Sequence, residues 1–157
     1  MTNIAARLAV LLLIMGLAVL TNAQAQEKKI KTEELPPAVE KTVFGQSQGA
    51  TIKGFSTEID KGKRLYEVEL TVNGHGKDIS MDKDGKIVEV EEEVAIDSLP
   101  PEVKAGLTRV AGSGTITKVE SLTKGGKLVA YEASVKNGPK HSEVQVGPNG
   151  EKLAHEE

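Results

Sequence analysis

Hydrophobic positions follow a helical period in two separate stretches of the chain. Leucine and valine recur every four residues at Leu35, Val39 and Val43, and again at Leu99, Val103 and Leu107. This spacing places each set on one stripe of a helix. Prolines directly follow the first leucine of each stripe and fit only the first helical turn, where their missing N–H would have had no partner. The sequence favours Thr32 and Ser98 as the N-terminal caps of these helices.

After each helix, the pattern changes to strict alternation. Tyr66, Val68 and Leu70 alternate with polar residues, as do Tyr131, Ala133 and Val135. A period of two with one apolar side predicts antiparallel strands whose other side faces solvent. Tight turns are predicted at Asn73-Gly74, Asp84-Gly85, Asn137-Gly138 and Asn149-Gly150. Each stretch therefore predicts one helix followed by four strands.

The first strand after each helix departs from this alternation. Its apolar residues lie three apart, at Ile52 and Phe55 and again at Ile116 and Val119. We expect a β-bulge or bend at both places.

The two stretches also share sequence. Leu35-Pro36-Pro37-Ala38-Val39 is matched by Leu99-Pro100-Pro101-Glu102-Val103 about 64 residues later. The predicted fold class is α+β, with two tandem repeats at residues 26–94 and 95–157. Each repeat is expected to pack a helix on an antiparallel sheet of three to four strands. The junction, residues 91–97, has no flexible tract, so we expect the repeats to dock, and disorder is expected only at residues 26–32 and the C-terminus.

The N-terminus has the pattern of an export signal. Arg7 precedes an apolar run from Leu8 to Leu20, and a small-residue site follows that ends at Ala25. The run is short for a membrane span, so residues 1–25 are predicted to be a cleaved signal peptide. An uncleaved anchor remains the alternative, since a short helix can insert with local adjustment of the bilayer.

Composition narrows the possible functions. The 157-residue chain has no cysteine, 3% aromatic residues and a formal net charge of −3. Neither a disulfide nor a lipid-bearing cysteine is possible, and the core must consist mainly of aliphatic residues. The acidic balance disfavours nucleic acid as a partner.

Several short motifs resemble a known family. The Leu-Pro-x-x-Val helix start, Gly62-Lys63, Tyr66-Glu67-Val68 and Asp84-Gly85-Lys86 are similar to the PepSY-like, beta-lactamase-inhibitor-like domain, here in tandem. The second copy departs from the pattern, with Pro148-Asn149-Gly150-Glu151 at the last hairpin. The resemblance implies a periplasmic or secreted, non-enzymatic module without a cofactor. It also implies a concave sheet surface that grips a hydrolase or peptidase.

Other candidate motifs favour structural interpretations. Residues 45–49 match the Gly-x-Ser-x-Gly nucleophile elbow, but that turn requires a strand before it and a helix after it. Asp82 and Asp84 resemble the start of a calcium loop, for which a hairpin turn is the competing interpretation. His75, His141 and His155 lack the spacing of a zinc site, so no metal site is predicted. Lys28, Lys29 and Lys31 form a basic cluster that is expected to be a solvated tail.

The candidate functional surface is a row of carboxylates on the predicted open side of the sheet. The partner-binding candidates are Glu67, Glu69, Asp78 and Glu132, and Glu89, Glu91 and Glu143 belong to the same type of face. Such a face could attract a basic protein partner, although charge on exposed strands also serves solubility. The leading hypothesis is an exported binding protein that inhibits or regulates a hydrolase, a peptidase or another envelope protein, with no stable membrane insertion after signal cleavage. The alternative is an envelope protein that binds calcium or a small ligand.

Overall fold

Eight strands and two helices make up the described part of the chain, which comprises residues 27–155 and 157 of a computed structural model. The predicted signal peptide lies outside the described residues. The helices are α1 (Pro37–Gln46) and α2 (Pro101–Ala111). The strands are β1 (Lys28–Ile30), β2 (Thr51–Asp60), β3 (Lys63–Val72), β4 (His75–Met81), β5 (Ile87–Glu93), β6 (Thr115–Lys124), β7 (Lys127–Asn137) and β8 (Lys140–Val146). Within these residues, no helix has the length and hydropathy needed to span a membrane.

All eight strands belong to one antiparallel sheet. Their spatial order, β1 to β8, is the same as their order along the chain. The α1 helix lies between β1 and β2 in sequence, and α2 lies between β5 and β6. Because β5 pairs directly with β6, the two halves of the chain form a continuous sheet.

Two hydrophobic clusters join the helices to the same side of the sheet. The α1 stripe is buried against Val68, Leu70, Ile79 and Met81. The α2 stripe is buried with Val119, Ala133 and Val146. Tyr66 packs at the border of the first cluster and Tyr131 at the border of the second. The helical stripes and the apolar side of the alternating strands are therefore confirmed.

Each helix also packs tightly on a reverse turn. Thr42 of α1 donates a hydrogen bond from Oγ1 to the Gly85 carbonyl oxygen at 2.8 Å. On α2, a Cβ added to Gly106 would clash with the Gly150 carbonyl oxygen. Arg109 Nη2 donates to that same oxygen at 2.9 Å. The Asp-Gly and Asn-Gly turns thus position the helices on the sheet as well as reversing the chain.

The expected bulges are confirmed. The β2–β3 register shifts between Ile52 and Gly54, and the β6–β7 register shifts between Ile116 and Lys118.

Three details of the sequence interpretation are wrong. Thr32 and Ser98 do not cap the long helices but lie in single 3₁₀ turns, Thr32–Glu34 and Ile96–Ser98. The residues at the N-cap position are Pro36 and Pro100, both extended, because the residue before a proline is kept out of the helical region.

Part of the segment expected to be disordered is instead ordered. Lys28–Ile30 forms β1, which pairs with β2, and Ile30 packs at the border of the α1 cluster. The second half also contains three named strands rather than four. After β8, only an isolated bridge between Val146 and Lys152 is formed among the described residues.

Candidate functional site

The sheet face opposite the helices carries most of the candidate carboxylates. Strand pairing places Glu69 opposite Asp78, and Asp78 opposite Glu91. It also places Glu93 opposite Glu120, and Glu120 opposite Glu132. Directly paired residues of neighbouring strands point to the same side of a sheet, so these side chains share one face. Rows of like charge therefore cross the sheet from β3 to β7.

This face is concave. Leu65, Ser80, Leu122 and Ala130 lie on it and are buried, although they belong to neither helix-side cluster. In a flat sheet, β2 and β6 would be about 19 Å apart. Nevertheless, Glu58 on β2 is close enough to Glu89 on β5 and Lys124 on β6 for their charges to act on it: burial and Glu89 raise its pKa, and Lys124 opposes part of that rise. The strands curl around the face, which we call the acidic groove.

Asp78, Glu91 and Glu120 form the centre of the acidic groove. One carboxylate oxygen of each lies within 4.8 Å of the others. Glu120 is only 6% exposed, and its Oε2 lies 2.8 Å from Lys118 Nζ. Asp78 Oδ1 is buried and has no hydrogen-bond partner among the described residues. Among the described residues, Lys118 is therefore the one lysine that forms an ion pair with this group of three carboxylates.

The crowded carboxyl groups have raised pKa values. Burial, followed by Glu132 and Glu89, raises the pKa of Glu91 to about 8. Burial and the charge of Asp78 raise the pKa of Glu67 to about 7. Burial and the charges of Glu120 and Glu69 raise the pKa of Asp78 to about 6. These groups change charge close to neutral pH.

A small number of cations border the groove. Lys124 Nζ lies 3.2 Å from Glu89 Oε2. A pocket of about 130 Å³ near β1 is lined by Lys29, Lys53, Glu67 and Glu69 among others. The edges of the groove are thus partly neutralised, while negative charge predominates at its centre.

The structure brings the four predicted partner-binding residues onto this one face. Glu69 is exposed, whereas Glu67, Asp78 and Glu132 are half-buried because the sheet curls. The amide of Gln145 donates a hydrogen bond from Nε2 to Glu132 Oε2 at 2.7 Å. Glu89, Glu91 and Glu143 also lie on this face, by their pairing with Ser80, Asp78 and Ser134 respectively.

Sequence reasoning missed three important members of the groove: Glu58, Lys118 and Glu120. Alternation after the bulge in β6 places Lys118, Glu120 and Leu122 on one side, and this pattern could have identified them. Their closeness to Asp78 could not be read from the sequence, because it depends on the pairing of β5 with β6.

The other candidate motifs do not form a comparable site. Asp82 Oδ1 accepts hydrogen bonds from the backbone N–H groups of Asp84 and Lys86, which confirms the hairpin turn. Ser47 directly follows α1 and precedes β2, the reverse of a nucleophile elbow. The three histidines are exposed.

The three central carboxylates alone do not supply the full set of oxygen ligands of a calcium site. Calcium requires roughly six to eight oxygen ligands. Lys118 already pairs with one of the three central carboxylates, which leaves only Asp78 and Glu91 without a lysine of their own.

Comparison with solved structures identifies the fold of this chain. No known family and no curated protein matches the sequence. A BLIP-like protein from Bacteroides fragilis matches with a TM-score of 0.54 and 22% identity, over 74% of this chain and 81% of that chain. The chain has a BLIP-like fold. A DUF2874 family protein from Bacteroides ovatus matches with a TM-score of 0.59 and 19% identity, over 76% of this chain and 84% of its own.

A third solved structure that matches is a proposed periplasmic protein from Bacteroides eggerthii. Its TM-score is 0.61 at 17% identity, over 76% of this chain and 86% of that chain. At these identities the BLIP-like likeness describes architecture, so the function of this chain has to be argued from its own residues.

Proposed function

We propose that this chain is an exported, non-enzymatic binding protein whose acidic groove binds a basic segment of a protein partner. The observation that carries the proposal is the concave face, on which rows of carboxylates cross five strands with few lysines among them. A surface of one charge sign attracts a partner of the opposite sign and accelerates their encounter. The partner class is a secreted or periplasmic hydrolase or peptidase, or another envelope protein, which the chain inhibits or regulates.

The proposed architecture is a tandem of two PepSY-like repeats, at residues 26–94 and 95–157. It is supported by the repeated Leu-Pro-Pro motif, by the bulge in β2 and β6, and by the glycine turn packed on each helix. The proposed location is the periplasm or the extracellular medium, after cleavage of residues 1–25. Its support is the N-terminal signal pattern and the proposed periplasmic relative of the same fold.

The shape of the groove supports an extended or loop-like element as the bound segment. Curling leaves the central carboxyl groups of Asp78 and Glu91 half-buried but accessible, so a lysine or arginine side chain could reach them from the open side. Ionised hydrogen bonds between such a cation and carboxylates are stronger than those between neutral groups. The groove would thus contribute affinity as well as steering.

A capture experiment followed by quantitative binding tests this proposal. Residues 26–157 are immobilised, envelope and secreted proteins are passed over them, and each retained protein is purified and assayed for binding. A triple variant, with Glu67, Glu69 and Glu132 replaced by lysine, should weaken binding by at least about tenfold. Binding to the wild type should also weaken as salt screens the charges.

The matched control reverses three carboxylates in the helical segments, Glu33, Glu40 and Glu102, all of which are exposed. This variant makes the same change in net charge away from the groove, so it should retain binding. Equal loss of binding affinity in both variants would show that net charge alone causes the effect. Unchanged binding in the groove variant would refute the proposal. Retention that requires calcium and is lost on replacing Asp82 and Asp84 would instead favour the alternative calcium-binding role.

A further inference from the structure

Asp78 and Glu91 are the two central groove carboxyl groups that form no ion pair with a lysine among the described residues. They are direct neighbours across the β4–β5 ladder, and their oxygens lie within 4.8 Å of each other. Glu120, the third member of the centre, is held at 2.8 Å by Lys118. Two like charges in direct opposition destabilise a sheet, and partial burial increases that cost.

Asp78 Oδ1 provides an independent indication of a missing hydrogen. This atom is buried and lacks a hydrogen-bond partner among the described residues. A carboxylate can only accept hydrogen bonds, whereas a protonated carboxyl can donate one. A proton held between Asp78 and Glu91 would remove one of the two charges, and a protonated Oδ1 could donate the hydrogen bond that its carboxylate form lacks.

We propose that Asp78 and Glu91 share one proton in the free protein near neutral pH, so that the negative charge of the acidic groove is controlled by pH. The carboxyl of one residue donates a hydrogen bond to the carboxylate of the other, as in other close acid pairs. Loss of this proton as the pH rises leaves both residues ionised. The groove then gains a negative charge at its centre, close to Lys118.

The surroundings of the pair favour this protonation. Charged groups on the same face of the sheet as the pair include Glu27 before β1, Lys29 on β1, Lys53, Glu58 and Asp60 on β2, Lys63, Glu67 and Glu69 on β3, Glu89 and Glu93 on β5, Lys118, Glu120 and Lys124 on β6, Lys127 and Glu132 on β7 and Glu143 on β8. Carboxylates predominate in this set. Two of its lysines, Lys118 and Lys124, are already paired with Glu120 and Glu89. Burial and these neighbouring carboxylates together raise the pKa of both Asp78 and Glu91.

The consequence for binding rests on the proposed function. A lysine or arginine of a partner would stabilise the doubly ionised pair and displace the shared proton. Affinity for a basic segment should therefore rise with pH across the range in which the pair ionises. Acidification would weaken the complex without unfolding the protein.

Carboxyl-carbon NMR titration of residues 26–157 tests the shared proton without any partner. In the wild type, the Asp78 and Glu91 signals should each show two steps, separated by at least about two pH units. In the Glu91→Gln variant, Asp78 has no carboxyl with which to share a proton, so it should titrate in a single step whose pKa stays raised by burial and by the charges of Glu120 and Glu69. The Glu102→Gln variant, which alters an exposed carboxyl on α2 outside the acidic groove, should leave the two-step titration in place.

Single steps near pH 4 for both residues in the wild type would overturn the shared proton. Because the titration uses free protein, this outcome would leave the proposed function standing. Conversely, two-step titration in a protein whose captured partners ignore the groove variant would support the shared proton and refute the proposed function.

Discussion

Replacing Glu91 by glutamine should stabilise the protein, and the gain should grow as the pH rises. Glu91 lies on β5 between Asp78 on β4 and Leu122 on β6, where burial raises its pKa from 4.5 to about 8. Between these two values, the folded protein binds a proton that the unfolded chain has released. The free energy of unfolding therefore falls as the pH rises from about 4.5 to about 8, and it levels off above that range.

The size of the effect follows from that pKa. Moving a pKa from 4.5 to about 8 corresponds to a ceiling of about 5 kcal/mol. The measured effect should be smaller, because the groove is open to solvent, which screens the charges. Asp78 and Glu67 also titrate over the same pH range, so protonation of one carboxyl group lowers the repulsion on the others. We expect Glu91→Gln to gain about 1–3 kcal/mol at pH 8 and little at pH 4.5.

Urea denaturation followed by circular dichroism, at half-unit intervals from pH 4.5 to 8.5, measures this difference by linear extrapolation. The matched control is Glu40→Gln on the exposed surface of α1, whose stability difference from the wild type should stay nearly constant with pH. A Glu91→Gln variant that is equal to or less stable than the wild type at pH 8 would refute the electrostatic account of the groove.

Three further predictions concern packing, the central ion pair and a strained turn. Gly106→Ala should destabilise the protein by about 2 kcal/mol or more, because the added Cβ would clash with the Gly150 carbonyl group. Gly45→Ala, at an open helical position, should instead stabilise the protein by about 0.5–1 kcal/mol. Urea denaturation measures both differences. Lys118→Met should cost about 1–3 kcal/mol at pH 8 and less at pH 5, where protonation can replace the lost pairing; an equal loss at both pH values would contradict this. Lys61 has a φ of 47° in the β2–β3 turn, a conformation that asparagine adopts more readily than lysine. Lys61→Asn should therefore stabilise the protein by about 0.5–1 kcal/mol and raise its thermal unfolding midpoint. A lower midpoint would contradict strain in this turn.

Much of the fold could be predicted because periodicity and turn chemistry are local. The four-residue spacing of Leu99, Val103 and Leu107 identified α2, and alternation around Tyr66 identified β3. By contrast, β1 has only three residues and no apolar alternation, so its pairing with β2 had no local signal. The cap positions were misread because the double prolines hold the preceding residues extended and delay the start of each helix.

The candidate site was predictable in its orientation but not in its geometry. Alternation placed Glu67 and Glu69 on the side away from the helices, where the strand register also places them. The partial burial of Glu67 arises from the curl of the sheet, which depends on contacts between strands that are distant in sequence. Glu120 comes close to Asp78 for the same reason, since β4 and β6 meet through β5.

The sequential order of the eight strands has a consequence for how the chain folds. Each strand pairs with the next one in sequence, so most of the sheet is built from nearby segments and few long loops must close. Proteins rich in local contacts fold faster than those with distant pairings. A chain that crosses a membrane N-terminus first, as we propose for this one, could add each strand to the growing edge as it emerges. No early strand has to wait for a distant partner, which shortens the time during which apolar strands stay exposed to aggregation.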